Sequence, residues 1–150
     1  MEQWLGMTQP GKNSRKNAGV RTLYRMEMDS ALQSLFEKLS SPQKTLDIGG
    51  KHDSFYQNLV GSRIYHTFDS NAELKPDIIG DAHAMKMKRG TYDLVIATEV
   101  LEHSHTPQKV VDEIWKVLKK NGTCIGSVPF FYPHHGWGSM NDYYRFSREG

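Results

Sequence analysis

Residues 92–98, Tyr-Asp-Leu-Val-Ile-Ala-Thr, are the clearest strand in this chain. Leu94, Val95, Ile96 and Ala97 follow one another without a polar residue between them. A strand with one wet face alternates apolar and polar side chains, so this one is expected to be covered on both faces. That places it inside a parallel sheet with helices packed above and below, which restricts the chain to an α/β architecture.

The rest of the sequence supplies the partners. Met28, Ala31, Leu32, Leu35, Phe36 and Leu39 recur at helical spacing and predict a helix ending near Ser40, since Pro42 cannot continue it. Thr45–Ile48 reads as a short apolar strand ending in Gly49-Gly50. Asp53 or Ser54 caps a short helix carrying Phe55, Tyr56, Leu59 and Val60, stopped by Gly61. Arg63–Phe68 is a second strand ending at Asp69, and Asp77–Gly80 a very short third. The seven residues 70–76 are few for a crossover between parallel strands, so a loop or a single helical turn is expected there.

After the strand at 92–98, Thr106 and Pro107 open a helix. Its buried stripe is predicted as Val111, Ile114, Trp115 and Leu118, with Lys116, Lys119 and Lys120 near its negative end and Asn121-Gly122 closing it. Thr123–Val128 is the fifth strand, ended by Pro129. Residues 1–25 are polar and read as an arm, leaving 26–150 as the folded domain.

Composition narrows the function classes. One hundred and fifty residues make one domain, and a net charge of +2 is too small to imply nucleic acid. Lys12, Arg15, Lys16, Arg21 and Arg25 cluster in the arm, and Lys86, Lys88 and Arg89 lie mid-chain. They form either a solvated face or a surface for an anionic substrate. The single Cys124 allows no internal disulfide and fits a reducing cytoplasm. Apolar runs are strand-sized, so no membrane span is expected.

In an open parallel sheet, ligands bind beyond the carboxyl ends of the strands, where strand order reverses. Those ends carry Asp47-Ile48-Gly49-Gly50, Asp69, Asp81-Ala82 and Thr98-Glu99. Asp69 stands 20 residues after Gly49, a spacing that suits a carboxylate accepting hydrogen bonds from ribose hydroxyls. A glycine turn lets the backbone approach a ligand that a Cβ would obstruct.

Here the residues carry a resemblance. Leu46-Asp47-Ile48-Gly49-Gly50 resembles motif I of class I S-adenosylmethionine-dependent methyltransferases. Tyr92-Asp93-Leu94-Val95 with Glu99-Val100-Leu101-Glu102-His103 resembles the family's FDLV…EVLEH signature, and Val117–Gly122 its VLKPGG turn. Residues 141–150, Asn-Asp-Tyr-Tyr-Arg-Phe-Ser-Arg-Glu-Gly, resemble its DYWRFTPEG segment. The likeness covers about residues 28–150.

The resemblance implies a Rossmann-like three-layer sandwich with five strands in the order 3-2-1-4-5. It also implies S-adenosylmethionine as cofactor, held by Asp47, Gly49, Gly50, Lys51, Asp69, Ser70, Asp81, Ala82, Thr98 and Glu99. Within that set, Asp69 would hold the ribose, Asp81 the adenine amine and the Ala82 amide a ring nitrogen. His134 and His135, in the loop after the fifth strand, are the candidate catalytic bases. Tyr132, Trp137, Tyr143 and Tyr144 form one wall of an acceptor pocket, with Phe130, Phe131 and Phe146 in the core. Arg145 pairs with an anionic substrate group or braces Asp142.

Glu99, Glu102 and His103 resemble a divalent-metal site of some relatives, yet the same run recurs in relatives without metal, and no metal is assigned.

Two departures from the family pattern stand out. Lys51 and Asp53 occupy positions where the family's glycine loop carries two further glycines. The usual helix and two-strand hairpin after strand five are missing, so the fifth strand is expected to be an exposed apolar edge open to homodimer formation.

The leading expectation is an enzyme methylating a small molecule, most readily at oxygen. The competing one is a non-catalytic domain that binds the cofactor weakly or serves as an interaction module. A nicotinamide-dependent enzyme is disfavoured, because the chain lacks G-x-G-x-x-G.

Overall fold

A computed structural model describes residues 22–136 and 140–148. Most of the arm, with Lys12, Arg15, Lys16 and Arg21, therefore lies outside the described residues, as does Trp137.

Five strands form one parallel sheet: β1 (Lys44–Ile48), β2 (Ile64–Asp69), β3 (Ile78–Ile79), β4 (Tyr92–Thr98) and β5 (Leu118–Ser127). Their order is β3-β2-β1-β4-β5, as expected. Three helices cover the sheet: α1 (Leu23–Phe36), α2 (Phe55–Val60) and α3 (Pro107–Val117). The short β2–β3 link is a single turn, Ala72–Leu74, capped by the Asn71 side chain.

β4 is buried on both faces, as its unbroken apolar run requires. Val95 and Ala97 join Leu46, Ile48, Val110, Ile114 and Val117 under α3. Leu94 and Ile96 join Leu32, Phe36, Tyr56 and Val60 under α1 and α2. Period-2 alternation along one strand thus serves two separate cores.

Three expectations need correction. The buried stripe of α3 is Val110, Ile114 and Val117, whereas Val111 and Trp115 are 41% and 77% exposed. Both sets have helical spacing; the register of the helix against the sheet chose between them. Asn121-Gly122 does not close α3. The helix stops at Val117, Leu118 already pairs with Tyr92, and Asn121 (φ 64°) lies where the register slips before Leu94 meets Thr123. Phe130 and Phe131, expected in the core, are 69% and 94% exposed.

Among the described residues β5 has a neighbouring strand on one side only. Beside it runs an apolar groove lined by Val111, Trp115, Leu118, Cys124 and Val128. Lys86, Lys88 and Arg89 sit in the loop that leads into β4, at the amino ends of the strands and so opposite the strand tips. Among the described residues no helix is long and apolar enough to cross a membrane.

Candidate active site

Strand order reverses between β1 and β4, and a cleft of about 880 Å³ opens there beyond the carboxyl ends of the strands. Its walls include Gly49, Asp69, Ser70, Asp81, Ala82, Thr98 and Glu99. Four strand tips thus meet on one cavity.

At the tip of β1, Gly49 adopts φ 77°, and its N–H donates to the Phe68 carbonyl at 2.8 Å. A Cβ there would stand 2.9 Å from Val100 Cγ2. Asp47, Gly50 and Lys51, expected on the cofactor, are not among the residues lining the cleft. Asp47 is buried beneath the loop, accepting hydrogen bonds from the Ser54 hydroxyl (2.5 Å) and the Tyr65 hydroxyl (2.8 Å). Burial raises its pKa, and the two hydroxyls pull it back. Gly50 is required by that brace, because a Cβ would fall 2.5 Å from Asp47 Oδ2. Asp53 holds φ 59°, so the loop keeps a left-handed backbone without glycine at that position; Asp tolerates this better than most residues.

Asp69 lies on the wall, with Oδ1 accepting the Asn71 N–H at 2.7 Å. Asp81 Oδ1 takes the His83 N–H at 2.8 Å and lies 2.7 Å from His83 Nδ1, while His83 Nε2 is 2.7 Å from Ser104 Oγ. These bonds from His83 hold the Asp81 carboxyl below its ordinary pKa.

Glu99 has φ 54° and is drawn toward α1: its Oε1 accepts the Tyr24 hydroxyl at 3.1 Å and the Ser127 hydroxyl at 2.8 Å. Burial, then the Glu99 charge, pushes the Tyr24 hydroxyl up to about 12. Tyr24 had no sequence signal, since it sits among residues read as an arm.

The other end of the cleft is lined by His103, Tyr132, His135, Met140 and Asn141. Arg145 ties this end together. It donates to both oxygens of Asp142 and to the carbonyls of Tyr132 and Pro133, at 2.9 Å each. That bracing of Asp142 is one of the two roles expected for Arg145, and it holds the Asp142 carboxyl well below the usual range. Asp142 Oδ2 in turn accepts the His135 N–H at 2.8 Å. The two candidate histidines separate: His135 faces the cleft, while its neighbour His134 is exposed and off the wall.

Glu102, on the turn Leu101–His103, is fully buried, with neither carboxylate oxygen hydrogen-bonded. Burial pushes it up to about 7. Among the described residues, Glu102, His103 and His135 bring one ligand atom each within 4.8 Å of the others. Glu99, expected near Glu102 and His103, is not in that group.

Residues 21–149 match the family described as the methyltransferase domain. The chain belongs to that family. Among solved structures, this methyltransferase domain is similar to the N-methyltransferase NodS from Bradyrhizobium japonicum WM9 in complex with S-adenosyl-L-homocysteine. That likeness has 18% identity and a TM-score of 0.59, over 72% of this chain and 63% of that one. It is also similar to a protein from Pyrococcus horikoshii OT3, at 21% identity and TM-score 0.57, over 69% and 53%. A third is a SAM-dependent methyltransferase from Methanosarcina mazei, at 16% identity and TM-score 0.54, over 65% and 57%. At identities this low the likeness shows the fold alone. No curated protein matches the chain. The methyltransferase domain described here spans about half the length of several solved structures it matches.

Proposed function

We propose that the cleft binds S-adenosylmethionine and that the chain transfers its methyl group to an oxygen of a small molecule. The observation that carries this is the meeting of Gly49, Asp69, Asp81-Ala82 and Thr98-Glu99 on one cleft. The residues present fit such a cofactor. Gly49 brings bare backbone to the cleft wall in a left-handed turn, and Asp69 offers a carboxylate at the right strand tip. About 880 Å³ accommodates a nucleoside cofactor together with a small acceptor.

When bound, the sulfonium supplies an already activated methyl group. The chain therefore mainly aligns donor and acceptor, an effect worth roughly 7–11 kcal/mol of barrier. Asp69 fixes the sugar, and the loop braced by Asp47 fixes the backbone beside it. Tyr132 and His135 bound the acceptor end. A hydroxyl acceptor must shed its proton as the oxygen–carbon bond forms. His135 is the catalytic imidazole of this reading, since His134 does not reach the cleft. The open β5 edge and its apolar groove are where a homodimer would form, which analytical ultracentrifugation tests directly.

Calorimetric titration with S-adenosylmethionine and S-adenosylhomocysteine is expected to show one site. Asp69→Ala is expected to weaken it roughly 10- to 100-fold, the worth of a lost hydrogen bond to a charged group. Absence of binding by the unaltered chain would discard the reading.

A further inference from the structure

Asp69 and Asp81 occupy matching places after β2 and β3, but their supports differ. β2 has six residues and is paired on both sides, whereas β3 is only Ile78–Ile79, at an end of the strand order. The sheet places the loop that carries Asp81 without fixing its carboxylate, and that side chain is 67% exposed. An exposed carboxylate is free to sample several rotamers, and only some of them suit any one hydrogen bond to a ligand.

His83 supplies the missing constraint. Its backbone N–H and its ring both reach the same oxygen, Asp81 Oδ1, at 2.8 Å and 2.7 Å. A carboxylate only accepts, so the ring hydrogen sits on Nδ1. Nε2 then accepts the Ser104 hydroxyl at 2.7 Å, and Ser104 Oγ itself takes the Thr106 N–H at 3.2 Å. The donors thus run in one direction, from Thr106 through Ser104 and His83 to Asp81, tying the loop after β3 to the turn before α3. The His83 side chain is only 20% exposed, and the His105 ring lies 4.6 Å from its own. Aspartate, histidine and serine in this order also form nucleophile relays. Ser104, however, is 5% exposed and held by Thr106, so it serves here as the anchor of the ring.

Both donors fall on Oδ1. Asp81 Oδ2 has no hydrogen-bond partner among the described residues, and Asp81, Ala82, His83 and Ser104 all line the cleft. We propose that His83 is the positioning residue for base recognition: by holding Asp81 Oδ1 it presents Oδ2 to the exocyclic amine of an adenine ring. This rests on the proposed S-adenosylmethionine site and adds the residue that makes that site selective for adenine. An amine donates to the carboxylate. A carbonyl in the same place, as in hypoxanthine, sets lone pairs against lone pairs and is rejected. The bonds from His83 keep the Asp81 carboxyl below its ordinary pKa, so it remains an acceptor at neutral pH. Selectivity is what a loosened Asp81 loses first, because a mobile carboxylate swings away from a carbonyl as easily as it turns toward an amine.

The test compares calorimetric affinities of the full chain for S-adenosylhomocysteine and for S-inosylhomocysteine, which carries a carbonyl in place of the amine. The unaltered chain should prefer the adenine compound by about 30-fold, the worth of a hydrogen bond to a charged group. His83→Ala should lower that preference about tenfold. His83→Asn keeps a donor near the Nδ1 position and should stay within about threefold of the unaltered chain, whereas His83→Gln, which reaches only toward Ser104, should behave like His83→Ala. In an Asp81→Ala background, His83→Ala should change the preference no further. A ratio of two affinities does not depend on the fraction of chain folded, so simple destabilisation leaves it in place.

A preference unchanged in His83→Ala overturns the proposal, as does His83→Asn performing no better than His83→Gln. If His83→Ala does not fold, His83→Asn against His83→Gln decides, together with ¹⁵N spectra of the ligand-free unaltered chain above the ordinary histidine titration range. Those spectra should show the His83 hydrogen on Nδ1; a hydrogen on Nε2 overturns the proposal. If the unaltered chain binds neither compound, the cofactor reading falls and this proposal with it. If it binds S-adenosylhomocysteine but the variants do not move the preference, this proposal alone falls.

Discussion

The two ends of the cleft are built by different means. The end proposed for the cofactor rests on strand tips: Gly49, Asp69 and Asp81 follow directly from β1, β2 and β3, so the sheet places them. The end proposed for the acceptor is assembled from two segments, 129–136 and 140–146, that lie outside the five strands and three helices. Two backbone bonds tie it down, from the Tyr143 N–H to the Glu102 carbonyl and from the Phe146 N–H to the Pro129 carbonyl, and the rest of its order comes chiefly from Arg145 on Asp142 and on the carbonyls of Tyr132 and Pro133. Backbone pairing spreads its stability over many bonds, whereas a side-chain clamp concentrates it in one residue. The two ends should therefore fail differently.

The largest effect is expected from Arg145→Ala. With the clamp gone, His135 loses its fixed position, and methyl transfer should fall about 10²-fold, the cost of misplacing a reacting group by about an ångström. S-adenosylhomocysteine affinity should stay within a few-fold. A parallel loss of cofactor binding would show that the ends are not independent. Gly49→Ala should do the reverse, weakening cofactor binding and costing about 1–2 kcal/mol of stability in denaturant titration. The new Cβ meets Val100 and must hold φ 77°.

Tyr24→Phe removes one of two donors to Glu99 and should cost about 1 kcal/mol by the same titration. The smallest effect is pH-dependent. The Arg145 bond depresses the Asp142 pKa in the folded chain, so its contribution is present above the ordinary aspartate value of 3.8. It is lost as pH falls below that value through the depressed one. Thermal stability followed from pH 5 to pH 2 should drop less steeply in Asp142→Asn; an identical slope would remove Asp142 as a structural anchor.

Legibility in the sequence follows the same division. The double-sided burial of β4, the single turn between β2 and β3 and the acidic strand tips could all be read, because each depends on neighbours in the chain. Errors came where two readings were locally equal. Val111 and Trp115 have the same spacing as Val110 and Ile114, and only docking on the sheet selected the second pair. Phe130 and Phe131 are apolar enough for a core, but no element covers them. Asp47 has the right position for a ligand contact, yet Ser54 and Tyr65 claim it from below.

What the sequence alone determined is therefore the α/β architecture, the strand tips and the chemistry they carry, since period and spacing are local properties. Tertiary structure decided which of those groups meet. It drew Glu99 toward Tyr24 and set His135 against Glu102 and His103 across more than thirty residues of chain. Convergence of groups distant in sequence is fixed by packing and by buried charges that need partners, and no pattern along the chain encodes it.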